Sequence, residues 1–238
     1  MGGSLQAVLF DMDGTLLDSE KVWDIALDDL AERLGGALSA AGRARMVGTP
    51  LLRSIEILHA DLGVDADAAA SSAYLLDRAA DLFAQPLPWQ PGAEALLDAV
   101  AAAGIPVGLV TSTHRGLTEL ALRTLGADRF DVVVCGDDAT ATKPAPDPYL
   151  MAAAQLGVVP GNCVAIEDSP VGLRAALTAG CAVLVVPNDV EIDPHPGIDI
   201  RRSLVGVTVA DLRALVARRA GTPVHAKTVR GRSAARPP

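Results

Sequence analysis

Aromatic side chains make up only 3% of the 238 residues. A core built from this chain must therefore be packed with Leu, Val, Ile and Ala. Half of the residues are apolar, enough for one sizeable core and a smaller module beside it. Lysine is scarce as well, with Lys21, Lys143 and Lys227 as the full complement. No apolar run approaches the length of a bilayer span, so membrane insertion as a helix is not expected. The first apolar run is strand-like and follows Met1 closely, which does not fit a secretory signal. The three cysteines, Cys135, Cys163 and Cys181, are widely spaced in or beside strand-like runs. They read as buried free thiols of a cytoplasmic protein, not as a metal-ligand pair.

Excess positive charge is also missing from the body. The net charge is −9, and six of the 20 basic residues lie between Arg218 and Pro238, a stretch without acids. The first 217 residues thus carry 14 basic against 29 acidic side chains. Nucleic acid is disfavoured as a partner for that body. Residues 218–238 read as a basic, disordered tail, whose alternative role is an arm for an acidic partner.

What is present is organised around one stretch. An apolar run, Leu5 to Phe10, reads as a buried strand and ends in Asp11 and Asp13 with a turn at Gly14. Side chains alternate along a strand, so both acids point one way and Met12 the other. Two such carboxylates repel unless a proton or a cation lies between them, and a hard cation such as Mg²⁺ resolves the conflict. From Glu20 to Pro86 every periodic segment is helical, with Asp18 or Ser19 as the first N-cap. This is too long a block for an ordinary strand-to-helix connection. After Pro91 helices and strands alternate, with strands at Val107–Val110, Asp131–Cys135, Cys163–Ile166 and Ala182–Val186. A last strand is expected at Gly206–Val209 and a last helix at Asp211–Arg219. Repeated β-α units imply an α/β fold, a Rossmann-like doubly wound parallel sheet with helices on both faces. The expected division is 1–19 and 87–217 for the α/β core, 20–86 for an inserted helical module and 218–238 for the tail.

Three strands end in polar residues: Asp11 and Asp13, Thr111 and Ser112, and Glu167 and Asp168. In a parallel sheet all these ends lie on one rim, where they can converge on a ligand. Lys143 lies in a proline-rich loop.

These segments resemble, in order, the four motifs of the haloacid dehalogenase-like hydrolases: Asp11–Leu16 (D-x-D-G-T-L), Thr111–Ser112, Lys143-Pro144-Ala145-Pro146-Asp147, and Glu167-Asp168-Ser169. Thr142 stands where the third motif usually has Gly. The resemblance implies an α-helical cap over residues 20–86. It makes Asp11 the nucleophile of an aspartyl-phosphate mechanism and Asp13 the general acid and base. It assigns phosphate contacts to Thr111, Ser112 and Lys143. It has Mg²⁺ held by Asp11, the Asp13 carbonyl, Asp168 and, directly or through water, Glu167. The expected substrate is a small phosphorylated metabolite. A β-phosphoglucomutase-like mutase and a non-catalytic binding protein are the alternatives. Mutases of that kind carry a His where Trp23 stands and an Arg in a G-x-x-R loop. Here that loop reads Gly48-Thr49-Pro50-Leu51, with Arg53 two places late, which favours hydrolysis. Trp23, Arg45, Thr49, Arg53, His114 and Arg115 are the expected specificity residues.

Overall fold

A computed structural model describes residues 4–46, 49, 51–187 and 197–220. In chain order the elements are β1 (Ala7–Phe10), α1 (Glu20–Arg33), α2 (Ala40–Met46), α3 (Leu51–Leu62), α4 (Ala68–Phe83), α5 (Ala93–Ala102), β2 (Val107–Val110), α6 (Arg115–Leu125), β3 (Val132–Val134), α7 (Asp147–Gln155), β4 (Cys163–Glu167), α8 (Pro170–Ala179), β5 (Ala182–Val185), β6 (Ile198–Ile200) and α9 (Val209–Ala220). The strands form one parallel sheet in the order β3-β2-β1-β4-β5-β6. The chain winds outward from β1 to β3, then crosses over and winds the other way from β4. The switch point, where such sheets open a crevice, is therefore between β1 and β4.

Alternation along the strands fills both faces. Val8, Phe10, Val107, Leu109, Val164 and Ile166 join one apolar cluster with residues of α5, α6 and α9. Ala7, Leu9, Val110, Val132, Val134 and Ala165 join the other, under α7 and α8. Met12 is buried in the first cluster, facing away from the acids that flank it. A third cluster, centred on Leu30, Ile55, Leu58 and Leu75, is drawn from α1–α4 alone. The chain leaves for these helices and returns from them through adjacent segments. The Asp18 N–H donates to the Pro88 carbonyl at 2.9 Å, and the Gln90 N–H to the Leu16 carbonyl at 2.8 Å. No helix among the described residues is long and apolar enough to cross a membrane.

Three local expectations are corrected. The sixth strand is β6, not Gly206–Val209. Gly206 sits at φ +77°, incompatible with an extended strand. Thr208 caps α9 instead: its hydroxyl oxygen accepts from the Asp211 N–H at 3.3 Å and its own N–H donates back to Asp211 Oδ2 at 2.9 Å, so the helix begins at Val209. β6 escaped notice because it is a three-residue edge strand, only half buried, with Asp199 between its two isoleucines. Neither Asp18 nor Ser19 caps α1 with its side chain; Asp18 pairs with Lys21, and Ser19 is used elsewhere. Residues 218–220 continue α9, and the rest of the expected tail, 221–238, lies outside the described residues, as do Gly48 and Pro50.

Candidate active site

Register places the polar strand ends side by side. Phe10 pairs with Leu109 on one flank and Ile166 on the other, so Asp11, Thr111 and Glu167 emerge at the same rim. The Asp11 N–H still donates to the Ile166 carbonyl, at 3.0 Å, before the chain turns away. That turn requires Gly14 at φ +77°, with Leu16 and Leu17 folding back to donate their N–H groups to the Met12 carbonyl.

Lys143 enters this rim from the loop before α7. Its Nζ donates to Asp11 Oδ1 at 2.6 Å, Glu167 Oε1 at 2.7 Å and the Val110 carbonyl at 2.8 Å. All three ammonium donors are therefore spent, on two acids and a strand end. The side chains of Lys143, Asp11 and Glu167 are 4%, 9% and 0% exposed, so this ion pairing takes place away from water. Burial pushes the Asp11 carboxyl up to about 7; Lys143 pulls it down, while Glu167 and Asp13 add to the rise. Burial also works against the Lys143 charge, but Asp11 and Glu167 outweigh it and hold the ammonium above its ordinary value.

Glu167 is held on every side. Tyr149 on α7 donates its hydroxyl to Oε1 at 2.6 Å, and Ser169 reaches Oε2 at 3.3 Å. A Cβ added to Gly172 would lie within 2.0 Å of both carboxylate oxygens, so glycine there is what lets the group rest on the first turn of α8. Ser169 caps that helix, accepting from the Gly172 N–H at 3.1 Å.

Asp13 forms a second unit. Its Oδ1 accepts from Ser19 at 2.6 Å, and its Oδ2 from Thr113 at 2.7 Å and Thr111 at 3.2 Å. Ser19 and Thr113 were not singled out from the sequence for this site. Thr113 was detectable: residues 111 and 113 share one side of an extended chain, and Ser112 faces the other. Ser112 is exposed, and its carbonyl packs so closely on Gly136 that a Cβ there would meet it at 2.1 Å.

Asp11, Glu167 and Asp168 each bring one carboxylate oxygen within 4.8 Å of the others. Three hard oxygen donors stand here against one ammonium, which pairs with two of them, so the cluster carries surplus negative charge. A divalent cation such as Mg²⁺ fits that donor set. The Asp13 carboxylate stands outside it, engaged by three hydroxyls.

The expected specificity residues are dispersed. Arg115 is tied to Asp138 and the Val133 carbonyl. His114 is 74% exposed beside Asp137. Trp23 meets Phe83 edge-on at 6.1 Å. Thr49 bonds the Met46 carbonyl and Ser54, each at 2.8 Å, and Arg53 pairs with Glu56. Arg45 is exposed on α2.

Comparison with known proteins identifies the family. The family model "haloacid dehalogenase-like hydrolase" matches residues 5–180. A phosphorylated carbohydrates phosphatase of Thermotoga maritima is 33% identical over 177 residues, 74% of this chain and 82% of that protein. Hexitol phosphatase A of Escherichia coli is 34% identical over 178 residues, 75% of this chain and 81% of that protein. Among solved structures, a mutant of CbbY from Rhodobacter sphaeroides in complex with xylulose-1,5-bisphosphate superposes with a TM-score of 0.76 at 28% identity. That match covers 87% of this chain and 99% of the other. The matched span contains every acid, hydroxyl and ammonium just described, and on that basis the chain belongs to the haloacid dehalogenase-like hydrolases.

Proposed function

We propose that this hydrolase is a Mg²⁺-dependent phosphomonoesterase acting on a small phosphorylated metabolite of the sugar- or polyol-phosphate class. The observation that carries the reading is Lys143 held between Asp11 and Glu167, with Asp168 beside them and Asp13 separately clamped. Asp11, Glu167 and Asp168, with the Asp13 carbonyl, would hold the ion. When bound, Mg²⁺ supplies electrostatic relief between the phosphate dianion and the carboxylate that must approach it.

The chain's own groups then divide the work. Lys143 occupies Asp11 Oδ1, which leaves Oδ2 as the attacking atom. Oδ2 bonds to phosphorus, and the ester P–O bond breaks. Protonated Asp13 gives its proton to the departing alkoxide. Water next attacks the aspartyl-phosphate, Asp13 takes the proton, and the P–O bond to Asp11 breaks to release phosphate. Thr111, Thr113 and Ser19 suit both states of Asp13, because a hydroxyl can turn from donor to acceptor. Helices α1–α4, with their own apolar cluster and paired connecting segments, act as the cap that selects the leaving group. Trp23, anchored on Phe83, stands where a mutase carries its imidazole, which favours hydrolysis over phosphoryl return.

The test is turnover of p-nitrophenyl phosphate with Mg²⁺ and with EDTA. Wild type should hydrolyse it only with the metal, and Asp11→Asn should lose at least about a thousandfold in kcat. Full activity in Asp11→Asn would refute the reading.

A further inference from the structure

Tyr149 is completely buried, the largest of the fully buried side chains, and lies in the apolar cluster beneath α7 and α8. A phenylalanine would fill that space equally well. The hydroxyl is what packing does not explain, since a buried phenol must find a partner. It finds Glu167 Oε1, at 2.6 Å. The same oxygen receives Lys143 Nζ at 2.7 Å, and Nζ itself lies 5.1 Å from the centre of the Tyr149 ring. Two donors on Oε1 leave Oε2 with one longer hydrogen bond among the described residues, from Ser169.

We infer that Tyr149 is a positioning residue: its hydroxyl locks the Glu167 carboxylate so that Oε1 serves Lys143 and Oε2 is left for the cation site. Among the described residues the Tyr149 hydroxyl bonds Glu167 and not Asp11, so it acts through Glu167. Outer partners of this kind orient ligand carboxylates, and their loss characteristically costs about 10–100-fold in metal affinity or activity. The role rests on the phosphatase reading for its kinetic consequence, but not for its effect on ion binding.

Tyr149→Phe removes one oxygen and keeps the ring. Relative to wild type, kcat for p-nitrophenyl phosphate should fall about tenfold with KM within about twofold. Calorimetric titration with Mg²⁺ alone should show about tenfold weaker binding. Glu167→Gln and the double variant complete a cycle. If Tyr149 works through Glu167, the double variant should be no worse than Glu167→Gln, whereas additive losses would overturn the proposal. Wild-type kcat and wild-type Mg²⁺ affinity in Tyr149→Phe would also overturn it, whatever happens to Tm. A Tyr149→Phe protein that does not fold would make the hydroxyl purely structural, again against the proposal. Should wild type itself show no turnover, the phosphatase reading fails, and the Mg²⁺ titrations alone decide the role of Tyr149.

Discussion

Lys143 and Arg43 have the same formal surroundings, one cation between two carboxylates, in two very different parts of the molecule. Lys143 joins Asp11 to Glu167 at the sheet rim, where the three side chains are at most 9% exposed. Arg43, on α2, joins Asp24 to Asp28 on α1, where exposure runs from 32% to 58%. Water decides what each cluster is worth. Exposed pairs are screened and give up side-chain entropy, so they contribute little. Buried ions lose hydration they cannot recover elsewhere, so each depends on its partners. The helical surface can therefore lose its cation cheaply, and the rim cannot.

The largest effect is expected where the comparison is broken from the buried side. Lys143→Met should leave Asp11 and Glu167 facing each other without a counter-charge. Removing one partner of a buried pair costs about 3–5 kcal/mol, so unfolding in urea with EDTA should show a loss of that order. Turnover with saturating Mg²⁺ should fall by at least about a hundredfold, because a fixed charge on the phosphate side is lost with it. Stability within about 1 kcal/mol of wild type would mean that the cluster is far wetter than its exposure implies.

Next comes the glycine that makes room for Glu167. Gly172→Ala places a methyl group within 2.0 Å of the carboxylate oxygens, which must move. A displacement of about 1 Å at such a group can cost on the order of a hundredfold in rate. Gly116, on α6, is the control, with nothing within 4 Å of an added Cβ. Gly116→Ala should keep wild-type kcat and gain a few tenths of a kcal/mol, up to about 1, from lower chain entropy. Equal kinetics in the two variants would show that Glu167 tolerates displacement.

Burial of the Asp11 carboxyl also predicts a pH dependence. The Asp11 carboxyl rises from 3.8 to about 7 on folding, chiefly through burial. Across that window the folded protein keeps a proton that the unfolded chain has released, so stability falls as pH rises. Asp11→Asn abolishes this titration. In EDTA, the variant should be more stable than wild type at pH 8 by up to about 4 kcal/mol, and the gap should close at pH 4. Mg²⁺ should narrow the difference at pH 8 by stabilising wild type. Parallel pH curves for the two proteins would place Asp11 in a more polar setting than its neighbours suggest.

Much of the rim was legible in the sequence, because strand ends announce themselves. Packing alone gives an apolar run no reason to stop at two acids, or at Thr111, and parallel topology brings such ends together. The unread residues have partners that no local pattern names. Ser19 precedes a helix and so looks like a cap, yet the Gly14 turn folds Asp13 back to within 2.6 Å of its hydroxyl. Tyr149 occupies an ordinary core position of an amphipathic helix, and its acceptor lies 18 residues further along. Gly172 sits one turn into α8, where a glycine normally only weakens a helix; its purpose depends on a side chain from β4. β6 had too little apolar periodicity to register as a strand. Local chemistry marked which polar residues gather at the strand ends, while the supporting ring around them depends on how the layers pack.

The smallest expected effect breaks the comparison from the exposed side. Asp24 and Asp28 lie four residues apart on one face of α1, where like charges repel by a few tenths of a kcal/mol, and Arg43 offsets that repulsion from α2. Arg43→Ala should therefore cost no more than about 1 kcal/mol, or roughly 2–4 °C in Tm. At about 1 M salt the Debye length shrinks to about 3 Å, so the difference from wild type should largely vanish. The Lys143→Met deficit should survive the same salt, because mobile ions do not enter a buried cluster. Turnover by Arg43→Ala should match wild type, since among the described residues its side chain pairs with Asp24 and Asp28 and with no acid of the rim. A salt-insensitive loss of several kcal/mol at Arg43 would overturn the distinction, because the two ion triads would then differ in position but not in energy.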